Sequence, residues 1–412
     1  MTNEHRVRDA SYWCEVRLLL EELCCDFCRF EHSGKHRLAL GRIRIDREYY
    51  LGKPNTFADV HVQPVNAAPY FVEVKFGYSN EALLRTLRRK YKSNAPGVRH
   101  VHRLVIVIDT IDRPDWKKTA ALIRKSIRPS MKLEFWDEAK LLRLLKNCFQ
   151  IDAAELTPDN LLDIRQEIDR AKGYLAFGAD APEKYVHDPL RAELMWHLGF
   201  WKIRELREAG SLRAREIMPP GIYRNVVVLL ADLCSFSSYV RDTPNTEIVR
   251  ENLTNFYSKS RYQIINSGGM MYQIVGDQVV GFFGLPAQNP NVPEDALHTA
   301  RRLVEIGYSV SNHWQRRIDR MQTSGGLHVG MAVGDIEIVS LRPFSRTHMG
   351  GIGDCINVAA RLMALAGPGE IVATNTFYQS LNVPEQAPFS EIQPVEAKNV
   401  GKIKAWKFVP PR

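Results

Sequence analysis

The sequence predicts a multidomain α/β protein. Its 412 residues are enough for two or three domains that each have their own core. Short apolar runs alternate along the chain with longer segments in which apolar residues recur at helical spacing. The formal net charge of +9 arises entirely within residues 1–150. We therefore expect a basic domain over residues 1–150, a helical connector over 151–220 and a second domain over 221–412.

The chain carries no targeting or disulfide signal. No apolar run approaches the roughly 18 residues of a membrane-spanning helix, and the first residues lack the pattern of a signal peptide. We predict a cytoplasmic protein without membrane insertion. Seven cysteines are an odd number for a disulfide framework. Cys24, Cys25 and Cys28 lie in an apolar helical stretch without a second Cys/His pair at zinc spacing, so we expect buried free thiols.

The basic domain is predicted to begin with one helix and three strands. Apolar spacing indicates a helix over residues 10–30, and the strand-like stretches are Arg37–Ile45, Phe57–Val62 and Tyr70–Phe76. Asp59 lies in the second strand. Glu73 and Lys75 lie in the third, where they point to the same side because side chains alternate along a strand.

Helices and strands alternate through the rest of this domain. Glu81–Lys92 is predicted to be a helix with one basic and one apolar face; the faces are Arg85, Arg88, Arg89 and Lys92, and Leu84, Leu87 and Tyr91. The elements that follow are a strand at Leu104–Ile108, a helix near Trp116–Ile127, a strand at Lys132–Trp136 and a helix through Leu141, Leu142 and Leu145.

This domain resembles the restriction-endonuclease-like nucleases of the PD-(D/E)xK type. The resemblance rests on Asp59 opposite the triplet Glu73-Val74-Lys75 and on the order of the elements. It implies that Asp59 and Glu73 bind Mg²⁺ and that Lys75 helps to activate the attacking water. The basic helix would suit a phosphate backbone, with a nucleic acid or a phage ligand as partner. The alternative is an inactive fold that serves only as a docking or regulatory module.

Residues 151–219 are predicted to connect the two domains through helices. The helical stretches are Asp159–Ala171 and Leu190–Arg215, with a loop of Gly, Ala and Pro from Gly173 to Pro182 between them. Pro219-Pro220-Gly221 ends the segment before the next strand.

Two apolar strands of the second domain each end in one carboxylate. Val226–Ala231 leads into Asp232, and Tyr272–Gly276 leads into Asp277. Two such acids at the edge of a covered sheet repel each other, and a divalent cation relieves that repulsion. Taken alone, Asp232 is better explained as the cap of the following helix and Asp277 as a residue of a tight Gly-Asp turn.

A third element adds an amide and a guanidinium. Asn357 and Arg361 lie four residues apart in a predicted helix, so they share one face. Two acids, an amide donor and an arginine form a set suited to phosphoryl transfer.

Residues 221–410 resemble the class III nucleotidyl cyclases, the family of adenylate and guanylate cyclases. The motifs that carry the resemblance are Ala231-Asp232-Leu233-Cys234-Ser235-Phe236-Ser237, Val275-Gly276-Asp277, Gly353-Asp354-Cys355-Ile356-Asn357-Val358-Ala359-Ala360-Arg361 and Gly367-Pro368-Gly369-Glu370-Ile371. The resemblance implies a ferredoxin-like domain with a βαββαβ core.

The resemblance also assigns roles to residues of this domain. Asp232 and Asp277, with Leu233 beside the first, would hold two Mg²⁺ or Mn²⁺ ions, and Asn357 and Arg361 would stabilise the transition state. The remaining substrate contacts would come from Cys234, Ser235 and Phe236 at a helix N-terminus, and from Lys398 on the triphosphate. An edge-strand charge is the other explanation of Lys398. A head-to-tail homodimer with shared active sites is implied, because the family takes the acids from one subunit and Asn and Arg from the other.

The base-reading positions depart from the purine cyclases. Four residues before Asp277 stands Gln273, and eleven before Arg361 stands Gly350, in place of the Lys/Asp or Glu/Cys pairs of adenylate and guanylate cyclases. Gln both donates and accepts, as the mixed edge of uracil or cytosine requires. Side chains proposed to fill the space left by a smaller ring are Tyr272, Tyr239 and Met349, although each is also explained as core.

This departure resembles the pyrimidine cyclases of bacterial antiphage Pycsar systems. The resemblance implies conversion of UTP to cyclic UMP, a second messenger that activates a separate effector protein. Cytidylate cyclase is the nearest alternative and adenylate cyclase the next. Two others are a metal-dependent nuclease or nucleic-acid sensor in which the second domain only senses nucleotides, and a catalytically dead nucleotide-binding domain.

Overall fold

The protein was analysed as a computed structural model, which describes residues 10–33, 43–92, 95–111, 113–178, 189–210, 213–322, 324–341, 348–397 and 401–410. The chain divides into two compact units, Met1–Lys172 and Gly173–Arg412. This division lies inside the segment predicted as a connector. The helix Pro158–Asp163 belongs to the first unit, whereas the helix Pro189–Gly210 belongs to the second.

A mixed sheet forms the centre of the N-terminal unit. Its strands are β1 (Ile43–Tyr50), β2 (Phe57–Pro64), β3 (Tyr70–Val74), β4 (Arg103–Val107) and β5 (Lys132–Trp136). They lie in chain order; β1, β2 and β3 are antiparallel, whereas β3, β4 and β5 are parallel. Parallel neighbours require crossover connections, which are the helices α2 (Asn80–Tyr91) and α3 (Trp116–Ser126).

Helices α2 and α3 pack their apolar faces on this sheet. Ser79 caps α2 by accepting a hydrogen bond from the backbone N–H of Ala82. The apolar cluster between helices and sheet includes Phe71, Leu83, Leu87, Leu104, Ile106 and Ile123. The other helices of this part of the chain are α1 (Ala10–His32), α4 (Glu138–Phe149), α5 (Pro158–Asp163) and α6 (Arg165–Phe177), the last of which crosses the division.

Strand β1 differs from its prediction. A strand was expected at Arg37–Ile45, but the strand begins at Ile43 and continues to Tyr50, and residues 34–42 lie outside the described part of the chain. The part of the strand after Ile45 was not predicted, because the charged residues Asp46 and Arg47 are more typical of a loop. Both are buried, and Arg47 forms an ion pair with Glu21 of α1.

The sheet of the C-terminal unit contains a ferredoxin-like core. Its described strands are β6 (Gly221–Leu233), β7 (Met270–Val275), β8 (Gln278–Phe283), β9 (Leu327–Leu341), β10 (His348–Ile352), β11 (Ile371–Thr374), β12 (Phe389–Ala397) and β13 (Gly401–Phe408). They lie in the order β12, β13, β11, β9, β6, β8, β7, and β10 pairs with β9. Strands β6, β7, β8 and β9, with the helices between them, form the predicted βαββαβ unit.

Helices cover both faces of this sheet. Those described in the C-terminal unit are α7 (Pro189–Gly210), α8 (Ala214–Ile217), α9 (Phe236–Asp242), α10 (Thr246–Asn266), α11 (Val292–Ile318), α12 (Asp354–Leu365), α13 (Asn375–Ser380) and α14 (Val383–Gln386). The core between α10, α11 and the sheet includes Val329 and Met331 of β9. Gly330, between them, faces α12, and a Cβ there would lie 2.0 Å from the Ala359 carbonyl oxygen. Helix α12 therefore packs on the opposite face, close to β9.

Among the helices that the structure describes, none combines the length and apolar character of a membrane span. The seven cysteines are free, and Cys24, Cys25 and Cys28 of α1 are buried, as the sequence predicted, whereas Cys14 of the same helix is half-buried.

Candidate active site

The two predicted acids of the C-terminal unit lie together. Asp232 is the penultimate residue of β6, where it pairs with Gln278 at the start of β8. Asp277 precedes Gln278 in the β7–β8 turn, in which Gly276 takes a positive φ of 62°. Their carboxyl groups are within hydrogen-bonding reach of each other. We call Asp232 and Asp277 the acid dyad.

The dyad carries unmet negative charge. Burial, and then the charge of Asp232, raise the pKa of Asp277 from its usual value of 3.8 to about 6. Such a pair attracts a divalent cation, which removes the repulsion without a proton. Within the described part of the chain, no group of three or more His, Cys, Asp or Glu side chains is arranged to hold a metal. The dyad fits metals such as Mg²⁺ or Mn²⁺, whose other ligands come from water and phosphate.

His328 lies beside the dyad, and the sequence analysis missed it. It pairs with Asp232 across β9 and β6, and its Nε2 donates to Asp232 Oδ2 over 3.2 Å. That hydrogen bond, and a second contact with Cys234, raise the pKa of His328 to about 10. An imidazolium therefore offsets part of the dyad's charge. The available signal was one polar residue in the apolar run Leu327–Met331.

The predicted phosphate loop follows Asp232, but one of its donors is already engaged. The backbone N–H of Cys234 donates to the Gly326 carbonyl over 3.0 Å, and the predicted contact of Cys234 with substrate stays a prediction. Ser235 has a positive φ of 60° at the start of α9, and its hydroxyl bonds that of Ser324. The roles of Leu233, Ser235 and Phe236 stay predictions.

Asn357 and Arg361 lie one turn apart on α12, as their spacing predicted. Asn357 is exposed and Arg361 is half-buried, while Val358 and Leu362 bury the other face of the helix. The shared face is thus present, and the transition-state role of the two residues stays a prediction. Lys398, predicted for the triphosphate, lies outside the described residues.

The two base-reading positions lie on β7 and β10. Gln273 is exposed and follows a bulge between Met271 and Gln273. Gly350 is buried, and a Cβ there would lie 2.9 Å from Leu341 Cδ1, so a selector side chain would need that neighbour to move. Gly350 therefore offers no side-chain hydrogen bond to a base.

Tyr272 joins these two strands. Its hydroxyl accepts the backbone N–H of Gly351 over 2.9 Å, and its ring stacks on Phe282 at 4.4 Å between centroids. Tyr239, which was expected to share the base pocket, instead packs on Trp314 in the core between α9 and α11. The sequence does not determine which face of α9 packs against the core, and that face carries Tyr239.

The structure also brings together Asp59, Glu73 and Lys75 of the N-terminal unit. Lys75 Nζ lies 2.6 Å from Asp59 Oδ2 and 2.5 Å from Glu73 Oε2. A residue the sequence analysis passed over, Lys90 of α2, places its Nζ 2.8 Å from Glu73 Oε2 and 3.4 Å from Asp59 Oδ1. We call these four residues the N-terminal cluster.

The N-terminal cluster is electrically balanced, and all of its members except the partly exposed Asp59 are buried. Glu73 is fully buried and also accepts a hydrogen bond from the Tyr91 hydroxyl. Although burial opposes charge on Lys75, Asp59 and Glu73 hold its pKa well above the usual value. Two ammonium groups already neutralise two carboxylates, so a divalent cation would meet no net negative charge. The residues present do not fit the Mg²⁺ ion that the nuclease resemblance implies.

The buried face of α2 differs from the predicted one. It consists of Leu83, Leu87, Lys90 and Tyr91, while the predicted residue Leu84 is only half-buried. The signal was present in the sequence, since Leu87, Lys90 and Tyr91 share one face at spacings of three and four. It was overlooked because a lysine is rarely buried unless it is paired.

Comparison with known proteins finds a similarity within the second unit. Residues 218–409 match the family model of the adenylate and guanylate cyclase catalytic domain. Similar solved structures are the guanylyl cyclase Cya2 (20% identity, covering 46% of this chain and 95% of that chain, TM-score 0.40), the adenylyl cyclase CyaB from P. aeruginosa (18%, 46% and 97%, 0.39) and the guanylate cyclase domain of RhGC from Catenaria anguillulae in complex with GTP (18%, 46% and 99%, 0.37). None of the curated proteins matches. The segment that matches the family model contains every residue predicted for the C-terminal site.

Proposed function

We propose that the nucleotide cyclase catalytic domain of residues 218–409 converts UTP to 3′,5′-cyclic UMP and pyrophosphate. One observation carries the proposal: the base-reading positions hold an exposed Gln273 and a buried Gly350 without a side chain. A purine cyclase needs polar side chains that satisfy the edge of adenine or guanine, because unpaired polar groups lose discrimination heavily.

Gln273 supports a pyrimidine base. Its amide presents a donor and an acceptor together, as the edge of uracil or cytosine requires. A simple flip of that amide suits either base, so CTP is the competing substrate. Tyr272 and Met349, which lie next to Gln273 and Gly350 in the chain, are suited to fill the space that a smaller ring leaves.

Asp232 and Asp277 would hold the divalent metals that class III cyclases use. When bound, these metals lower the pKa of the ribose 3′-hydroxyl and offset the charge of the triphosphate. Asp277 must lose its proton to take part. In the reaction the 3′-oxygen bonds to the α-phosphorus, the bond from that phosphorus to pyrophosphate breaks, and the hydroxyl proton passes to water.

Asn357 and Arg361 would serve the transition state of that step. The amide of Asn357 orients the ribose, and the guanidinium of Arg361 neutralises charge that spreads over the transferring phosphoryl group. Both residues lie on α12, and we propose that they act on nucleotide held by the dyad of a second subunit in a head-to-tail homodimer. Two equivalent sites would result.

The product would act as a second messenger in antiphage defence. This part of the proposal follows from the resemblance to Pycsar cyclases at Gln273 and Gly350. A separate effector protein that binds the cyclic nucleotide would be its target.

The test is to incubate the purified protein with each ribonucleoside triphosphate and Mn²⁺ and to separate the products by chromatography. Asp277→Ala serves as the inactive control. Cyclic UMP, or cyclic CMP, that disappears in the variant supports a pyrimidine cyclase. Cyclic AMP as the main product would overturn the base assignment, and no product from any nucleotide would favour a domain that only binds.

A second candidate function concerns the N-terminal unit: we propose that it binds nucleic acid without cutting it. The observation that favours this is the N-terminal cluster, in which Lys75 and Lys90 take the place of metal charge between the carboxylates. The mutually packed helices α2 and α3 expose eight basic side chains, which are Arg85, Arg88, Arg89, Lys92, Lys117, Lys118, Arg124 and Lys125. Such a surface suits a phosphate backbone.

Binding of a fluorescent DNA duplex by the full chain tests this candidate. The double variant Arg88→Gln, Arg89→Gln should weaken affinity several-fold and reduce its salt dependence. Arg143→Gln with Lys146→Gln removes the same charge from the exposed face of α4 and should have little effect. Cleavage that requires Mg²⁺ and is lost in Glu73→Ala would overturn the proposal in favour of a nuclease.

A further inference from the structure

The helix α7 contacts both strands that carry the base-reading positions. It packs against β7, which bears Gln273, and against β10, which bears Gly350. These strands are not ladder partners, because β7 pairs with β8 and β10 pairs with β9. A kink at Gly199, where φ is 70°, breaks the helix just after the part that makes these contacts.

His197 makes the contact with β7. Its side chain is 1% exposed, and its Nδ1 donates to the backbone carbonyl of Met271 over 2.6 Å. Its Nε2 donates to Glu193 Oε2 over 3.0 Å, one turn earlier on α7. Both ring nitrogens thus face acceptors, one on β7 and one on α7 itself.

Glu193 makes the contact with β10. Its carboxylate accepts the backbone N–H of Met349, and His348 Nδ1 lies 3.9 Å from its Oε2. The hydrogen bond from His197 holds the pKa of Glu193 below its usual value, with smaller help from His348 and from the Met349 N–H. The carboxylate is therefore charged when it joins α7 to β10.

These contacts end next to the base-reading residues. Met271 lies two residues before Gln273, across the bulge of β7, and Met349 directly precedes Gly350. Tyr272 provides the other link between the strands, through the Gly351 N–H. A shift of the first half of α7 would pull on both strands at once, since charge-assisted hydrogen bonds to backbone atoms resist separation.

We propose that Glu193 and His197 are positioning residues that set the distance between Gln273 and Gly350, and so couple the position of α7 to recognition of the base. We call this pair the α7 clamp. The inference rests on the proposed function, in that these two positions read the nucleotide base. No atom of the clamp needs to touch the substrate. Its effect is carried by the backbone of Met271 and Met349.

Glu193→Gln tests the clamp with little change of volume. It removes the charge that holds His197 and the Met349 N–H. We expect KM for the preferred nucleotide to rise about tenfold while kcat stays within about twofold, because binding of the base is loosened and the phosphoryl transfer is not. The ratio of kcat/KM between the preferred nucleotide and its nearest competitor should fall by a similar factor.

Two further variants keep the result interpretable. Glu205→Gln changes the same residue type on the same helix, where Glu205 pairs only locally with Lys202, and should leave both constants unchanged. Tyr272→Phe removes the other link between the strands and keeps the stacked ring, so it should also lower the selectivity ratio. Thermal unfolding of each variant shows whether the fold is retained.

The outcomes separate the clamp from the proposed function. If Glu193→Gln is folded and keeps the KM and selectivity of Glu205→Gln, the clamp is refuted whatever the nucleotide. Equal losses of kcat for all four nucleotides would also refute it, since that pattern indicates general damage. If the wild type prefers ATP, the pyrimidine proposal fails, and the same ratio measured with ATP still tests the clamp.

Discussion

This protein contains two pairs of neighbouring carboxylates, and the pairs differ in the charges that surround them. Asp232 and Asp277 of the C-terminal unit face one imidazole, that of His328. Asp59 and Glu73 of the N-terminal unit face two ammonium groups and a phenol hydroxyl. Both pairs were predicted from sequence to bind divalent metal.

The charge around two carboxylates, and not their number, governs their chemistry. The raised pKa of Asp277 reports negative charge that the surroundings do not satisfy. The N-terminal cluster has no such excess, because each carboxylate is paired with a lysine. Binding of a divalent cation is electrostatically favourable at the first site. At the second site the cation would have to displace the ammonium groups of Lys75 and Lys90.

The largest expected effect comes from removing one acid of the dyad. Asp277→Asn should lower cyclic nucleotide formation at least about 1000-fold, because two-metal chemistry loses a ligand. Asp319→Asn, at an exposed left-handed position in the same unit, should retain full activity. Product formation at saturating nucleotide and Mn²⁺ is the measurement. If Asp277→Asn retained a tenth of the wild-type activity, the metals would not be held by the acid dyad.

The next prediction concerns a variant in which the N-terminal cluster, like the acid dyad, carries net negative charge. Lys90→Met keeps most of the side-chain bulk but leaves Glu73 and Asp59 with one lysine, which should cost about 3 kcal/mol of unfolding free energy. In an Asp277→Asn background, which removes the metal site of the acid dyad, Mn²⁺ should then raise the melting temperature of Lys90→Met and not that of the protein with Lys90 intact. Lys92→Met, at the exposed residue that follows the same helix, is the control. Stabilisation of Asp277→Asn by Mn²⁺ while Lys90 is intact would contradict the prediction.

The unmet charge of the dyad predicts a pH dependence of metal-free stability. The folded-state pKa of Asp277 is about 6 and its usual value is 3.8. The stability linked to its proton is therefore fully present below about pH 4 and is lost as pH rises through 6. Unfolding by urea at pH 4 to 7 should show this loss in the wild type and not in Asp277→Asn.

The affinity for Mn²⁺ should also depend on the ionisation of Asp277, and it should rise over the pH range in which the metal-free stability falls. Metal binding needs the ionised carboxylate, so the affinity should increase as pH rises toward 6 and level off above it. Calorimetry over this range is the check. An affinity that does not change between pH 5 and 7 would contradict the raised pKa.

The smallest effect concerns His328. His328→Gln removes the imidazolium beside Asp232, so Mn²⁺ should bind the nucleotide-free protein roughly fivefold more tightly. His313→Gln, whose ring contacts Glu251 on the other side of the core, should not change the affinity. Weaker Mn²⁺ binding in His328→Gln would show that the imidazole favours metal binding at the acid dyad. The charge of His328 would then not oppose the metal as the lysines of the N-terminal cluster do.

Local patterns were enough to identify much of the fold and the acids of both sites. Apolar runs that end in Asp232 and Asp277, and the i, i+4 spacing of Asn357 and Arg361, are properties of contiguous segments. Strand alternation likewise placed Glu73 and Lys75 on one side. The ferredoxin-like core was expected from motif resemblance and is present in the sheet order. The first strand was misplaced because buried ion pairs look like loop residues in a sequence.

The partners of these residues depended on packing between distant segments. His328 meets Asp232 across 96 residues of chain, through the register of β6 and β9. His197 meets Met271 across 74 residues, through the docking of α7. Lys90 reaches Glu73 only because α2 buries that face. A sequence states which groups can ionise, whereas their charge and affinity follow from neighbours that folding brings within a few ångströms.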